Sequence, residues 1–225
     1  MVSPTADRIV VVYTAICGRN GDQLPGPVPF AVRERGFRFV CFTDRREQAG
    51  GGWETRTPFW SDSQGRRLAR KHKILCHELF PSATHTIWLD GSIRPQVSLS
   101  SLLDHVAEGR GLGVFPHRDR SCVYDELRAC LRLKKDDPSV MTRQVERYAQ
   151  LGMPKRYGLA ETGVLVRRHG RDVFKYMDCW WREVSEGSVR DQLSFSYVSW
   201  QLEMKPTWLT GTVYRNSWFT FRPHR

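Results

Sequence analysis

The chain has 225 residues and a formal net charge of +11, with 35 Lys and Arg against 24 Asp and Glu. Hydrophobic content of 40% and aromatic content of 12% exclude a disordered chain and supply one sizeable core, while no stretch approaches the roughly 18–20 uninterrupted apolar residues of a membrane span. The charge calls for an anionic partner; the arginines are spread along the chain with no recognisable nucleic-acid module, so a phosphorylated small molecule fits at least as well as a polynucleotide.

The start, MVSPTADRIVVVYT, lacks the basic-then-apolar layout of a signal peptide. Six scattered cysteines (Cys17, Cys41, Cys76, Cys122, Cys130 and Cys179) include no C-x-x-C pair. The expectation is a cytoplasmic protein with reduced, buried thiols and no zinc site. The basic surface adds peripheral contact with an anionic membrane as a further reading.

Residues 8–14 (RIVVVYT) are a β-branched run and the first core strand. A loop of small and turn residues follows at 15–22, placed like the first strand-to-loop crossing of a nucleotide-binding sheet, although it is neither a G-x-G-x-x-G nor a P-loop. Residues 24–29 carry three prolines and read as extended. A second strand, 37–43, ends in Asp44, which either accepts a hydrogen bond from a base or ribose or caps the next turn. Residues 53–57 form a short edge strand.

Residues 62–80 are predicted helical, with Asp62 as N-cap and Pro81 as the stop. The apolar stripe is Leu68, Leu75 and Leu79, with His72 on the same face as a satisfied, half-buried side chain. Beside it Arg66, Arg70, Lys73 and His77 recur at helical spacing. Like charges on one face repel by roughly 0.2–0.5 kcal/mol per pair. A bound anion would offset that cost; a solvated basic face is the alternative.

The strand at 86–89 (TIWL) ends in Asp90-Gly91-Ser92. A carboxylate and a hydroxyl two residues apart, at the carboxyl end of a core strand, lie where open α/β sheets place ligand chemistry. The pair suits a divalent cation with a phosphate oxygen on its far side; an ordinary β-turn is the bland reading. A short helix at 98–107 and a strand at 112–115 lead to His117, a candidate metal ligand or proton carrier, or an ordinary loop histidine. Helices at 121–135 and 139–151 flank Asp136-Asp137-Pro138, an acid pair read as capping for the second helix.

Residues 158–163 (GLAETG) then enter a strand at 164–166, with small residues permitting close approach of a substrate and Glu161 placed to meet one. Helix 171–186 ends at Gly187, and the last long helix begins at 188–192. Its first turn carries Asp191, favourable to the helix dipole whatever its function. Residues 207–225 read as short strand-like pieces and a loose basic tail.

In order, YTAICGRNGDQLPGP, VCFTD, RRLARKHKILCHELFP, WLDGSI, PHRDRSCVYDE, QVERY, GLAETGVLVRRH, WWREV and RDQLSFSYV resemble a family of glycosyltransferase-like proteins. That family was once catalogued only as a domain of unknown function, and it includes a seed-mucilage hexosyltransferase of plants. The resemblance implies a single domain over residues 1–225 with a GT-A fold, a Rossmann-like α/β/α sandwich with a mostly parallel central sheet. It implies a nucleotide-sugar donor, a UDP-sugar being favoured, and Mn²⁺ or Mg²⁺ as cofactor. The acceptor would be a saccharide, a lipid-linked molecule or a small molecule, and no nucleic acid is expected.

On the same resemblance Asp90 and Ser92 stand at the D-x-D position, with a neutral hydroxyl in place of the second acid, so that metal binding would be loose, water-mediated or completed by His117. Thr14, Ala15, Gly18 and Asp44 would line the nucleotide, and Arg66, Arg70 and Lys73 the diphosphate. Glu161 and Asp191 would be catalytic, with Thr162, Gly163 and Gln192 toward sugar or acceptor. Two other classes stay open: a metal-dependent hydrolase of a lipid or phosphorylated substrate using Asp90 and His117, and a basic module binding nucleic acid or membrane.

Overall fold

The computed structural model describes residues 8–18, 23–61, 65–107 and 109–222. The expected N-cap Asp62 and residues 19–22 of the first loop lie outside them. In chain order the elements are β1 (Val10–Ile16), β2 (Phe37–Thr43), β3 (Glu54–Arg56), α1 (Gly65–Ile74), α2 (Cys76–Leu79) and β4 (His85–Leu89). Then come β5 (Ile93–Pro95), α3 (Ser100–Ala107), β6 (Leu112–Pro116), α4 (Val123–Arg132), α5 (Pro138–Gln150) and β7 (Ala160–Arg168). The chain closes with α6 (Arg171–Glu186), α7 (Gln192–Gln201), β8 (Thr207–Trp208) and β9 (Phe219–Phe221).

Seven strands form one sheet in the order β3-β2-β1-β4-β7-β6-β8. β7 is antiparallel to both of its neighbours and the other pairings are parallel. This is the mostly parallel α/β architecture that was expected. Both faces of the sheet are covered, which is why β1 reads as an unbroken apolar run rather than an alternating one. Val11, Tyr13 and Ala15 enter the layer shared with α1, α4, α5, α6 and α7. Val10 and Val12 enter the opposite layer with Leu102, Leu103 and Val106 of α3. Strand order reverses about β1, with β2 on one side and β4 on the other, and the crevice at their carboxyl ends is the natural ligand site of such a sheet.

Three expectations are corrected. The first strand runs through Ala15 to Ile16, so the loop opens only at Cys17. The predicted long helix is broken at Leu75, whose backbone (φ −83°, ψ 51°) leaves the helical region between α1 and α2. The break has a physical cause: the Lys73 carbonyl, orphaned at the end of α1, accepts from Tyr13 Oη and Arg167 Nη1, both at 2.8 Å. Of the acid pair, Asp137 caps α5 by accepting from Ser139 and Val140 N–H. Asp136 instead accepts from Ser188 Oγ at 2.6 Å and Val189 N at 2.9 Å, tying the α4–α5 turn to the segment before α7.

The C-terminal segment carries the short strand-like pieces that were expected, and its described residues are built into the fold. β8 extends the sheet and β9 pairs with β5. Between them the Asn216 carboxamide donates to the Thr212 and Val213 carbonyls and accepts from the Trp218 and Phe219 N–H groups. Among the described residues no helix is long and apolar enough to cross a membrane.

Candidate active site

A cleft of about 270 Å³ opens beside the carboxyl end of β4. Of the expected site residues, it is lined by Arg70, Asp90, Ser92, His117, Glu161, Thr162, Gly163, Asp191 and Gln192, drawn from separate stretches of chain.

At its floor lies a buried charge network. The Lys73 ammonium is 2.6 Å from Asp191 Oδ2 and 3.6 Å from Asp90 Oδ1, so one lysine bridges the two carboxylates. Lys73 and Asp191 side chains are 1% and 2% exposed, which makes this a desolvated ion pair. Thr162 Oγ1 accepts from Lys73 at 3.1 Å and donates to Asp191 Oδ2 at 3.2 Å, and Arg70 Nε stands 3.6 Å from Asp191 Oδ1. Burial alone would raise the Asp191 carboxyl, but Arg70 and Lys73 outweigh it and hold the group well below the usual carboxylate range. Asp191 is also the N-cap of α7, accepting from Gln192 N at 3.1 Å.

The predicted basic stripe therefore divides. Lys73 points inward, buried between carboxylates. Arg66 donates to the Lys135 carbonyl at 3.3 Å, and His77 lies on α2 beside Asp178, away from the cleft. Only Arg70 of the four lines the cleft.

Asp90 keeps one oxygen for a ligand. Trp88 Nε1 donates to Oδ1 at 2.7 Å, on the side where Lys73 approaches. Oδ2 lies beside Gly163, where a Cβ would come within 3.4 Å of it and 3.1 Å of Ile93. Glycine at 163 thus lets β7 pass against the turn, and the Asp90 N–H donates to the Gly163 carbonyl at 2.8 Å.

Glu161 sits where β7 slips register against β6. Its Oε2 accepts from Val213 N at 3.2 Å, fastening the C-terminal segment over the cleft, and burial pushes its carboxyl above the ordinary value. The cleft thus holds one carboxyl lowered by its cationic neighbours and another raised by burial. Gln192 is engaged on both sides, donating to the Ala160 carbonyl and accepting from Arg190.

Three further residues of the cleft went unread in the sequence. Glu126, buried on α4, receives Arg120 Nε at 2.7 Å and has Arg190 Nη2 at 3.8 Å. The HRDR run and the arginine next to Asp191 were the available signals, but the carboxylate that gathers them lies on another element.

Thr14 and Ala15 are buried within β1 and do not line the cleft. Gly18 and Asp44 meet at the same end of the sheet: both Asp44 oxygens accept from the Gly18 N–H, at 3.1 and 2.9 Å. Asp44 keeps an exposed carboxylate there.

Nucleotide-sugar transferases of the GT-A type commonly use a divalent cation, and the donor set here does not fit a resident one. His117 is turned onto its own loop: Nδ1 accepts from Asp119 N at 3.1 Å and Arg120 N at 3.2 Å. Its Nε2 faces the Arg120 guanidinium at 3.0 Å and Glu126 at 3.7 Å. Ser92 offers no charge, and Asp90 is already next to an ammonium. Among the described residues the group of three His, Cys, Asp or Glu ligand atoms within 4.8 Å of one another is His77, Glu78 and Asp178, outside the cleft. Asp90, Ser92 and His117, the expected cation ligands, all line the cleft, with the His117 ring nitrogens engaged by Asp119, Arg120 and Glu126.

The family model described as TOD1/MUCI70, glycosyltransferase-like domain, matches residues 56–217, most of the chain and nearly all of the cleft. The protein belongs to this family. Among curated relatives, a probable hexosyltransferase, MUCI70 of Arabidopsis thaliana, is 28% identical over 156 residues, 65% of this chain and 27% of that protein. The alkaline ceramidase TOD1 of the same plant is 27% identical over 139 residues, 56% of this chain and 30% of that protein. The matched segment thus spans under a third of either relative. Among solved structures, apo mouse xyloside xylosyltransferase 1 aligns over 86% of this chain and 82% of its own with 9% identity and a TM-score of 0.46, a likeness too slight to carry an assignment.

Proposed function

We propose that this TOD1/MUCI70-type domain is a glycosyltransferase moving a hexosyl group from a nucleoside-diphosphate sugar to an acceptor hydroxyl. The observation that carries the reading is the cleft floor, where a single buried lysine holds two carboxylates at the carboxyl end of β4. Such an arrangement fixes Asp90 in place, with one oxygen aimed at a sugar hydroxyl. Asp44 and Gly18 would receive the ribose or base at the ends of β2 and β1.

In the reaction the bond from the anomeric carbon to the diphosphate oxygen breaks, and a bond to the acceptor oxygen forms. The electron pair leaves with the nucleoside diphosphate, where Arg70 and Arg190 meet the developing charge, the electrostatic contribution that usually dominates such catalysis. Glu161, whose carboxyl burial has raised, accepts the acceptor's proton. Asp191 stays charged throughout and anchors Lys73 and Arg70. The hydrolase alternative is disfavoured because it needs His117 as a ligand, and both ring nitrogens of His117 are engaged.

A thermal-shift panel of UDP, GDP, CDP and ADP tests the reading. Selective stabilisation by one nucleoside diphosphate is expected through linkage. Indifference to all four would count decisively against it, and salt-sensitive binding to any polyanion would favour a basic binding module instead.

A further inference from the structure

We infer that this domain binds its nucleoside diphosphate without a divalent cation, the guanidinium groups of the cleft wall supplying the positive charge. The inference rests on the transferase reading and deepens it by naming what meets the diphosphate.

Three observations converge on it. First, both acids that could recruit a metal from the cleft floor are already neutralised: Lys73 stands 2.6 Å from Asp191 and 3.6 Å from Asp90, and Arg70 stands 3.6 Å from Asp191. Lys73 has little room to swing away, because its side chain is 1% exposed and its ammonium also donates to Thr162 Oγ1. A divalent ion on the remaining Asp90 oxygen would lie against that fixed ammonium with one protein carboxylate for support.

Second, guanidinium groups crowd the adjoining wall, Arg70, Arg118, Arg120 and Arg190 among them, interspersed with the acids Asp119, Glu126 and Glu161. Arg70 and Arg190 line the cleft, with side chains 20% and 19% exposed. Arg190 Nε is a buried donor with no hydrogen-bond partner among the described residues. Burial, and then Arg70 and Arg190, lower the neighbouring Arg66 guanidinium, a sign of mutual repulsion that a bound anion would relieve. Third, guanidinium groups pair with phosphate oxygens in bidentate fashion, so two or three of them can replace the charge a cation would bring.

Isothermal titration of the whole protein with the nucleotide selected by the panel, once in EDTA and once in excess Mn²⁺, tests this. The two dissociation constants are expected to agree within about threefold, and Arg190→Met to weaken binding in EDTA by roughly tenfold. The two-buffer comparison uses unmodified protein and so does not depend on the variant folding. Binding seen only with Mn²⁺, or tightened tenfold or more by it, would overturn the inference while leaving the transferase reading standing. No binding in either buffer would overturn both.

Discussion

Replacing Asp191 by Asn removes one charge from the buried network while keeping its shape. Asn retains an oxygen for the Gln192 N–H, so the helix cap survives. The Lys73–Asp191 contact is 2.6 Å between side chains 1% and 2% exposed, so solvent screening does not dilute it. Breaking such a pair from one side costs about 3–5 kcal/mol, because the remaining charge stays buried. Lys73 keeps Thr162 at 3.1 Å and Asp90 at 3.6 Å, which places the loss at about 3 kcal/mol. For a chain of this length that corresponds to a fall in Tm of roughly 6–12 °C.

The sign with pH follows from the lowered carboxyl. Asp191 contributes its full stability above the unfolded value of about 3.9. The contribution is lost as pH falls below that value towards the folded one. Scanning calorimetry of wild type and Asp191→Asn at pH 7, 5 and 3.5 should therefore show a large gap at the two higher values that only begins to narrow at the lowest, by less than about 1 kcal/mol. Equal Tm values at pH 7 would refute the buried ion pair.

Asp90→Ala should abolish donor turnover with little change in Tm, since the Asp90 side chain is 35% exposed and Lys73 keeps Asp191; retained turnover would remove Asp90 from the mechanism. Glu161→Gln should lower kcat by about 10²–10³ and remove the acid limb of the kcat profile, which sits above the ordinary carboxyl value because burial raises the group. Its Tm at neutral pH should hold or rise, because a buried charge is lost while an acceptor for Val213 N–H remains; an unaltered pH profile would exclude it as the base. Asn216→Ala strips the Trp218 and Phe219 N–H groups of their acceptor and should cost about 2 kcal/mol in urea unfolding; no loss would mean that the C-terminal segment is held by other contacts.

How much of this could be read beforehand follows from what each kind of pattern encodes. The helix over Arg171–Glu186 was legible to the residue, because its apolar stripe is regular and glycines stand at both ends. Lys73 was placed on one face with Arg66 and Arg70, yet of the three it alone is buried. Periodicity says which residues share a face but not what covers it, so its burial against Asp191 was invisible. That partner lies more than a hundred positions away, on another helix. The break at Leu75 was hidden for the same reason: it depends on a tyrosine in β1 and an arginine in β7 capturing one carbonyl.

The candidate site was legible at its strand ends, Asp90 and Asp44, since a polar residue ending an apolar run is a local signal. The Glu126 cluster was not, because Arg120, Arg190 and their shared carboxylate come from three stretches that only the fold brings together. The C-terminal segment was read as strand-like pieces without bounds, because its strands are two and three residues long, too short for any period. Its order comes from one asparagine side chain and from pairing with β5 and β6.

The most direct measurement is donor turnover: purified wild type and Asp90→Ala incubated with a panel of nucleoside-diphosphate sugars, the released nucleoside diphosphate being quantified by chromatography. Release from one donor class by wild type, lost in Asp90→Ala at unchanged fold, is the predicted result. Release from none of the donors, or equal release by the variant, would contradict the assignment of this cleft to sugar transfer.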